Sequence, residues 1–222
     1  VQVMPQNVPL TFEFAARAQG SKETEVRARV GGILLKRNYV EGAEVSEGQV
    51  LFEIDPDTYR VALNQAKAKL AQTEAELKNA ETQLARTEKL FKQGYASEKS
   101  RDDAVANADS LKAALQSAQA AVDAAQLNLD YTQVKAPISG LTSMEVQSEG
   151  SLISTSGEGG LLTHITQLNP IYVMFSMSET EMMKMAEMIE KGYLAQPQRK
   201  DQIKAKLNAG DGWQYPQAGD ID

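Results

Sequence analysis

From Tyr59 onwards, apolar and small residues recur in alternating steps of four and three: Tyr59, Leu63, Ala66, Leu70, Thr73, Leu77, Ala80, Leu84, Thr87 and Phe91. The pattern stops at a loop containing Gly94 and resumes over Ala104, Ala108, Leu111, Leu115, Ala118, Val122, Ala125, Leu129 and Thr132. Sustained over about four heptads per arm, this spacing predicts two long helices supercoiled about each other, not a helix lying on a globule. Folding the chain about Gly94 puts the two stripes in register. Leu63 then faces Ala125, Leu70 faces Ala118, Leu77 faces Leu111 and Leu84 faces Ala104; the alternate layers pair Tyr59 with Leu129, Ala66 with Val122, Thr73 with Leu115 and Ala80 with Ala108. Most layers set a large side chain against a small one, so they interdigitate. At 1.5 Å rise per residue an arm of roughly 35 residues reaches on the order of 50 Å. The pattern therefore predicts a projecting antiparallel hairpin over residues 56–132.

Its ends carry stop and start signals. Asp55 and Pro56 read as N-cap and first helical residue, Gly94 suits the left-handed position after the first arm, and Ser97 caps the second arm with Asp102 and Asp103 close behind. Glu74 with Lys78 and Glu88 with Lys92 have helix-surface spacing, each pair contributing a few tenths of a kcal/mol, and read as part of a solvated face.

Outside the hairpin the period changes to two, and an internal repeat appears. Offset by 108 positions, Ala28, Gly32, Glu41 and Gly42 recur as Ala136, Gly140, Glu149 and Gly150, while Val30, Ile33, Ala43 and Val45 align with Ile138, Leu141, Ser151 and Ile153. Each half reads as a glycine-started strand with a hairpin turn ten residues later, and the first half continues through Val50, Leu51, Phe52 and Ile54 into the helix. Neither half is large enough to bury a core alone. A third layer encloses both. Leu10 to Ala18, with Phe12 and Phe14 alternating with polar residues, and Ile171, Val173 and Phe175 read as strands of one sheet. Ser178 to Glu181 is a capping box with a Met177 to Met182 staple, opening a helix that Gly192 closes and that carries Met182, Met185, Met188 and Ile189 on one face. Ile203, Ala205 and Leu207 alternate again before a turn at Gly210-Asp211-Gly212 and Trp213. The chain thus leaves and re-enters three nested modules.

Composition narrows the function classes. Twenty-three Lys and Arg against 30 Asp and Glu give a net charge of −7, with no basic cluster, which disfavours nucleic acid as a partner. The absence of cysteine excludes disulfides and thiol chemistry, and the single His164 reads as structural. The carboxylates fall at solvated helix positions, the glycines at turns, and no phosphate-binding loop occurs, so no catalytic, cofactor or metal site is expected. No apolar run approaches the roughly 20 residues that span a bilayer, and the N-terminus lacks a signal-peptide profile. Any membrane attachment is expected to lie outside this chain.

Halves reading Val30-Gly31-Gly32-Ile33 to Gly42 and Ala136-Pro137-Ile138-Ser139-Gly140 to Gly150, separated by a helical hairpin and enclosed by outer strands, resemble the periplasmic adaptor, or membrane fusion protein, family of resistance–nodulation–division tripartite efflux pumps. The resemblance covers essentially the whole chain. It implies a mixed α and β, elongated and modular fold: a coiled-coil hairpin at 56–132 inserted in a split lipoyl-like β-sandwich at 24–55 and 133–163. That sandwich is itself inserted in an incomplete β-barrel domain at 1–23 and 164–222, with a short helix at about 179–191. It further implies a non-enzymatic subunit without cofactors, in the periplasm of a Gram-negative bacterium, joining an inner-membrane transporter to an outer-membrane channel and self-associating as a trimer or hexamer ring. Arg86, Leu90 and Ser97 match in type and spacing the set the family uses to engage the channel. The family's lipidated N-terminal cysteine, its anchor to the inner membrane, is absent, and the chain stops at Asp222 before the remaining barrel strands.

Two other readings stay open at this point. An ATP-driven or metal-efflux exporter uses the same kind of adaptor, and the methionine-rich segment offers thioethers that suit Cu(I). A biotin or lipoyl carrier would place an acylated lysine at a tight hairpin; Met183-Lys184-Met185 imitates that signal but sits inside the capped helix.

Overall fold

The computed structural model describes residues 11–194, 204–208 and 212–220. The chain packs as two units, Gln19–Tyr172 and Val1–Ala18 with Val173–Asp222.

In the first unit, β1 (Ala16–Arg27), β2 (Gly32–Arg37), β3 (Glu44–Val45) and β4 (Val50–Ile54) precede two helices, α1 (Asp57–Lys92) and α2 (Glu98–Asp130). After them come β5 (Gln133–Lys135), β6 (Gly140–Thr142), β7 (Leu152–Ile153) and β8 (Leu161–Phe175). The strands form two four-stranded sheets, ordered β1-β8-β6-β3 and β5-β4-β2-β7. Val26, Leu162 and Ile165 from one sheet meet Leu34, Phe52, Ile54 and Ile153 from the other in a single buried core.

The repeat explains how the halves share that core: each lends a strand to the other. Gly32 and Ile33 of β2 pair with Ile153 and Leu152 of β7, and the equivalent Gly140 and Leu141 of β6 pair with Val45 and Glu44 of β3. These two ladders map onto each other residue by residue under the 108-residue offset, which describes an approximate two-fold relation between the strands that are exchanged. The turns obey the same symmetry. Gly42 N–H donates to the Thr142 carbonyl (3.1 Å) as Gly150 N–H donates to that of Leu34 (2.8 Å). The Glu41 carboxylate accepts the Glu145 N–H (3.0 Å), and the Glu149 carboxylate accepts the Arg37 N–H (2.8 Å). At this joint Arg37 and Glu145, symmetry equivalents, form an ion pair with each other (3.0 Å).

Glycine at Gly140 is a packing requirement. A Cβ there would lie 2.5 Å from the Thr166 carbonyl oxygen, a backbone atom of β8 that cannot swing aside. Gly140→Ala is expected to cost about 1–3 kcal/mol through overpacking, read as a lowered thermal midpoint of the β signal.

The helices fold back on one another through the turn at 93–97. All ten predicted stripe residues of α1 are buried or half-buried, and every other α1 residue is exposed. On α2 the predicted stripe is likewise covered throughout, joined only by Arg101 and Gln126. Thr73 and Thr87 tolerate burial because each hydroxyl donates to a carbonyl one turn back, Lys69 and Gln83. The start of α1 differs from expectation: Pro56 is the N-cap and Asp57 the first helical residue, because the Asp55 carboxylate accepts the Asp57 N–H (3.0 Å) instead of capping deeper in the turn. The ion pairs formed on the hairpin are Arg60–Asp57, Arg101–Glu98, Arg101–Asp102 and Lys112–Asp109, and Glu74–Lys78 and Glu88–Lys92 are not among them. Register is open to direct test. Cysteines at Ala66 and Val122 are expected to cross-link readily, while the pair Ala66 and Ala118, about one helical turn out of step, is expected to resist.

The second unit carries α3 (Glu179–Glu190) and a two-stranded pair, β9 (Lys204–Ala205) with β10 (Gly219–Asp220). The capping box is formed in full, with the Ser178 hydroxyl accepting the Glu181 N–H and the Glu181 carboxylate accepting the Ser178 N–H. The Ser178 hydroxyl also donates to the Glu181 carboxylate (2.7 Å), and this bond, followed by that from the Ser178 N–H, holds the Glu181 carboxyl below the ordinary carboxylate pKa. Met185, Met188 and Ile189 are half-buried, but Met182 is exposed and departs from the predicted face. The strand expected over Leu10–Ala18 begins only at Ala16 and continues to Arg27. Phe12 and Phe14 keep strand periodicity and stack toward Phe175 without a backbone ladder, and Leu10 lies outside the described residues. So do Ile203 and the Gly210-Asp211 part of the predicted turn.

Candidate functional site at the hairpin tip

The turn between the helices is rigid for reasons legible in single residues. Gly94 adopts φ +79°, a left-handed conformation that side-chain-bearing residues avoid. Gly94 N–H donates to the Phe91 carbonyl and Tyr95 N–H to the Leu90 carbonyl, both at 2.9 Å. This pair of bonds is the Schellman closure, which satisfies the carbonyls a helix end leaves open. Ser97 then starts α2 in an extended conformation, its Oγ accepting the Ser100 N–H at 3.2 Å.

On this fixed backbone the three expected contact residues present different chemistry. Leu90 sits beside the stripe with 39% of its surface open. Arg86, one turn earlier on the same flank, is exposed; its guanidinium makes a long 3.4 Å bond to the Gln83 amide oxygen and, among the described residues, no ion pair. Its remaining donors are free for an incoming carbonyl or carboxylate. Ser97 is exposed but also structural, since its oxygen is the cap.

Two tip residues escaped the sequence reading. Tyr95 projects with 81% of its surface open, the aromatic body at the very turn. Arg101 is half-buried, with its guanidinium carbon 4.8 Å from the centre of the Phe91 ring and ion pairs to Asp102 (2.7 Å) and Glu98 (3.6 Å). The Asp102 carboxylate, helped by Glu98, raises the Arg101 pKa above the ordinary guanidinium value. Stepping back three residues from Ala104 lands on Arg101, so the stripe's own period marked it, although its charge hid it.

At the other end, the hairpin is tied to the sandwich. The Tyr59 hydroxyl donates to the Gly31 carbonyl (2.6 Å), and the Arg29 guanidinium lies 5.0 Å from the Tyr131 ring centre. The stripe's first residue therefore anchors in the β module while its last faces the tip.

Residues 22–165, containing both repeat halves and the entire hairpin, match the RND membrane fusion protein, barrel-sandwich hybrid domain. The chain belongs to the RND membrane fusion protein family. Among similar proteins, this membrane fusion protein chain is 47% identical over 223 residues to the efflux pump periplasmic linker BepD of Brucella suis biovar 1 (strain 1330), a match covering 100% of this chain and 56% of BepD. It is 35% identical over 222 residues to the multidrug efflux pump subunit AcrA of Escherichia coli (strain K12), covering 100% and 55%. The chain thus spans about half the length of the curated relatives it matches. The crystal structure of MacA from Actinobacillus actinomycetemcomitans superposes with a TM-score of 0.66 at 25% identity, over 77% of this chain and 57% of MacA. Among the described residues, no helix is long and apolar enough to cross a membrane, and no group of three acidic or histidine side chains could hold a metal ion.

Proposed function

We propose that this chain is the arm-bearing part of a periplasmic adaptor linking an inner-membrane, proton-driven resistance–nodulation–division transporter to an outer-membrane channel. Drugs and other toxic compounds would then leave the cell without entering the periplasm. The observation that carries the reading is the tip. A turn closed by the Gly94 and Tyr95 N–H groups displays Arg86, Leu90 and Ser97 at the far end of a helix 36 residues long, an arm of about 50 Å.

In this reading the arm at 56–132 is a coiled coil that supplies reach. The lipoyl-like module at 24–55 and 133–163 supplies a stacking surface for neighbouring copies in a trimeric or hexameric ring. The outer strands at 1–23 and 164–222 belong to a barrel that grips the transporter. Its role is mechanical and not enzymatic, its place is the periplasm, and a lipidated N-terminus of the whole adaptor holds it to the inner membrane. The match to the RND domain model, together with BepD and AcrA as relatives, supports this motor over an ATP-driven or metal exporter. Lys184 stands in the middle of α3 and not at a tight β-turn, which speaks against a biotin or lipoyl carrier.

Deleting the gene is expected to sensitise the cell to several chemically unrelated compounds, as scored by minimal inhibitory concentrations. Sensitivity confined to one metal ion would favour the metal exporter, and unchanged sensitivity to every compound would contradict the proposal.

A further inference from the structure

We infer that Arg101 is a positioning residue that clamps the two helices together at the tip and thereby fixes the turn used for docking. The inference rests on the docking reading above. Arg101 occupies the stripe position three residues before Ala104, where the rest of the pattern is apolar or small. Phe91 is the last stripe residue of α1, and the Arg101 guanidinium covers its ring at 4.8 Å. No other contact of this kind joins the helices among the described residues. Asp102 and Glu98 neutralise the charge from α2's own side, at 2.7 and 3.6 Å, and hold the planar group over the ring.

The placement matters because of what lies on either side. Phe91 follows Leu90 directly, and its carbonyl accepts the Gly94 N–H that closes the turn. Arg101 lies one turn beyond Ser97, and its own N–H donates to the Ser97 carbonyl at 3.2 Å. A guanidinium–ring contact between Phe91 and Arg101 therefore ties the helix end carrying Leu90 to the helix start carrying Ser97. An aliphatic residue at 101 would pack on Phe91 without this directional attraction, and an unpaired arginine would be free to swing. The two contact residues come from different helices, so docking needs their separation held constant. That is the function the clamp supplies.

Amide exchange at Gly94 and Tyr95 reports directly on the clamp, because those two N–H groups close the turn. In the 222-residue chain, Arg101→Leu is expected to speed their exchange about two- to fivefold, the range a partly exposed cation–π contact supports. Phe91→Leu should do the same, Phe91→Tyr should retain the parent's protection, and the Phe91→Leu, Arg101→Leu double variant should be no faster than either single one. Circular dichroism establishes that each variant remains helical. In parallel, the complete adaptor carrying Arg101→Leu should bind its outer-membrane channel more weakly by a similar factor. Unchanged exchange, or single effects that simply add, would overturn the clamp. Faster exchange with parental channel binding, while Leu90→Asp abolishes binding, would overturn the positioning role and leave the docking reading standing. If Leu90→Asp itself binds like the parent, the docking reading has failed, and the positioning role with it.

Discussion

Replacing Leu77 and Leu111 by alanine is expected to melt the hairpin while leaving the β-sandwich folded. Leu77 is 8% exposed and Leu111 half-buried, and the register predicted by folding about Gly94 places them in the one layer that opposes leucine to leucine. Removing a buried leucine side chain costs about 2–5 kcal/mol, because the lost transfer energy is joined by the cavity left behind; the half-covered Leu111 falls at or below the lower end. Within this protein that loss is poorly repaired locally, since three of the four residues in the flanking layers, Thr73, Ala80 and Ala108, are too short to collapse into the gap, which leaves only Leu115 to reach it. The sandwich core draws on Leu34, Phe52, Ile54, Ile153, Leu162 and Ile165, none of them in the stripe. Two thermal transitions in the double variant, an early helical one and a later β one, are the expected result. A single transition that removes both signals together would mean that the arm and sandwich are one cooperative unit, coupled through Tyr59 and Tyr131.

The second large effect concerns docking. Leu90→Asp and Arg86→Asp are each expected to abolish efflux in a deletion strain carrying the complete gene, with expression and helicity near those of the parent, because both residues lie off the stripe. Truncating an interface anchor typically costs 2 kcal/mol or more, about 30-fold in affinity, and a carboxylate buried at the joint adds its own desolvation penalty. Ser97 calls for a more careful variant. Because its Oγ caps α2, Ser97→Arg would remove about 1 kcal/mol of helix stability along with any contact. Ser97→Asp keeps a capping oxygen while changing the presented surface, so lost efflux in that variant belongs to docking and not to helix fraying. Full drug resistance in all three variants would move the channel contact away from the tip.

Much of this architecture is legible in the chain because the physics that encodes it is local and periodic. The four-and-three step has one structural solution, and burial follows it residue by residue from Tyr59 to Thr132. The 108-residue offset announced two similar halves, yet not that they exchange strands. That fact depends on pairing between residues such as Gly32 and Ile153, whose separation in sequence carries no periodic signal. Boundaries were the weaker part. Phe12 and Phe14 alternate like strand residues, but alternation fixes only which face a side chain takes, whereas a strand also needs a backbone partner. Asp55 has the right chemistry for a cap, yet its carboxylate settles on the nearest N–H and moves the helix start by one residue. At the tip, Arg86, Leu90 and Ser97 were singled out by their match in type and spacing to the family's contact set, and the structure leaves all three exposed. Arg101 was missed because a charged residue in an apolar stripe reads as an interruption until its aromatic partner is seen across the turn.

The central claim, that the hairpin tip meets the outer-membrane channel, is tested most directly by site-specific photo-cross-linking in living cells. A photoactivatable residue placed at Tyr95, exposed at the turn, should yield an adduct with the channel protein, and the same residue at Glu76, exposed near the middle of α1, should yield none. Adducts to the channel from position 76 but not from position 95 would contradict the account.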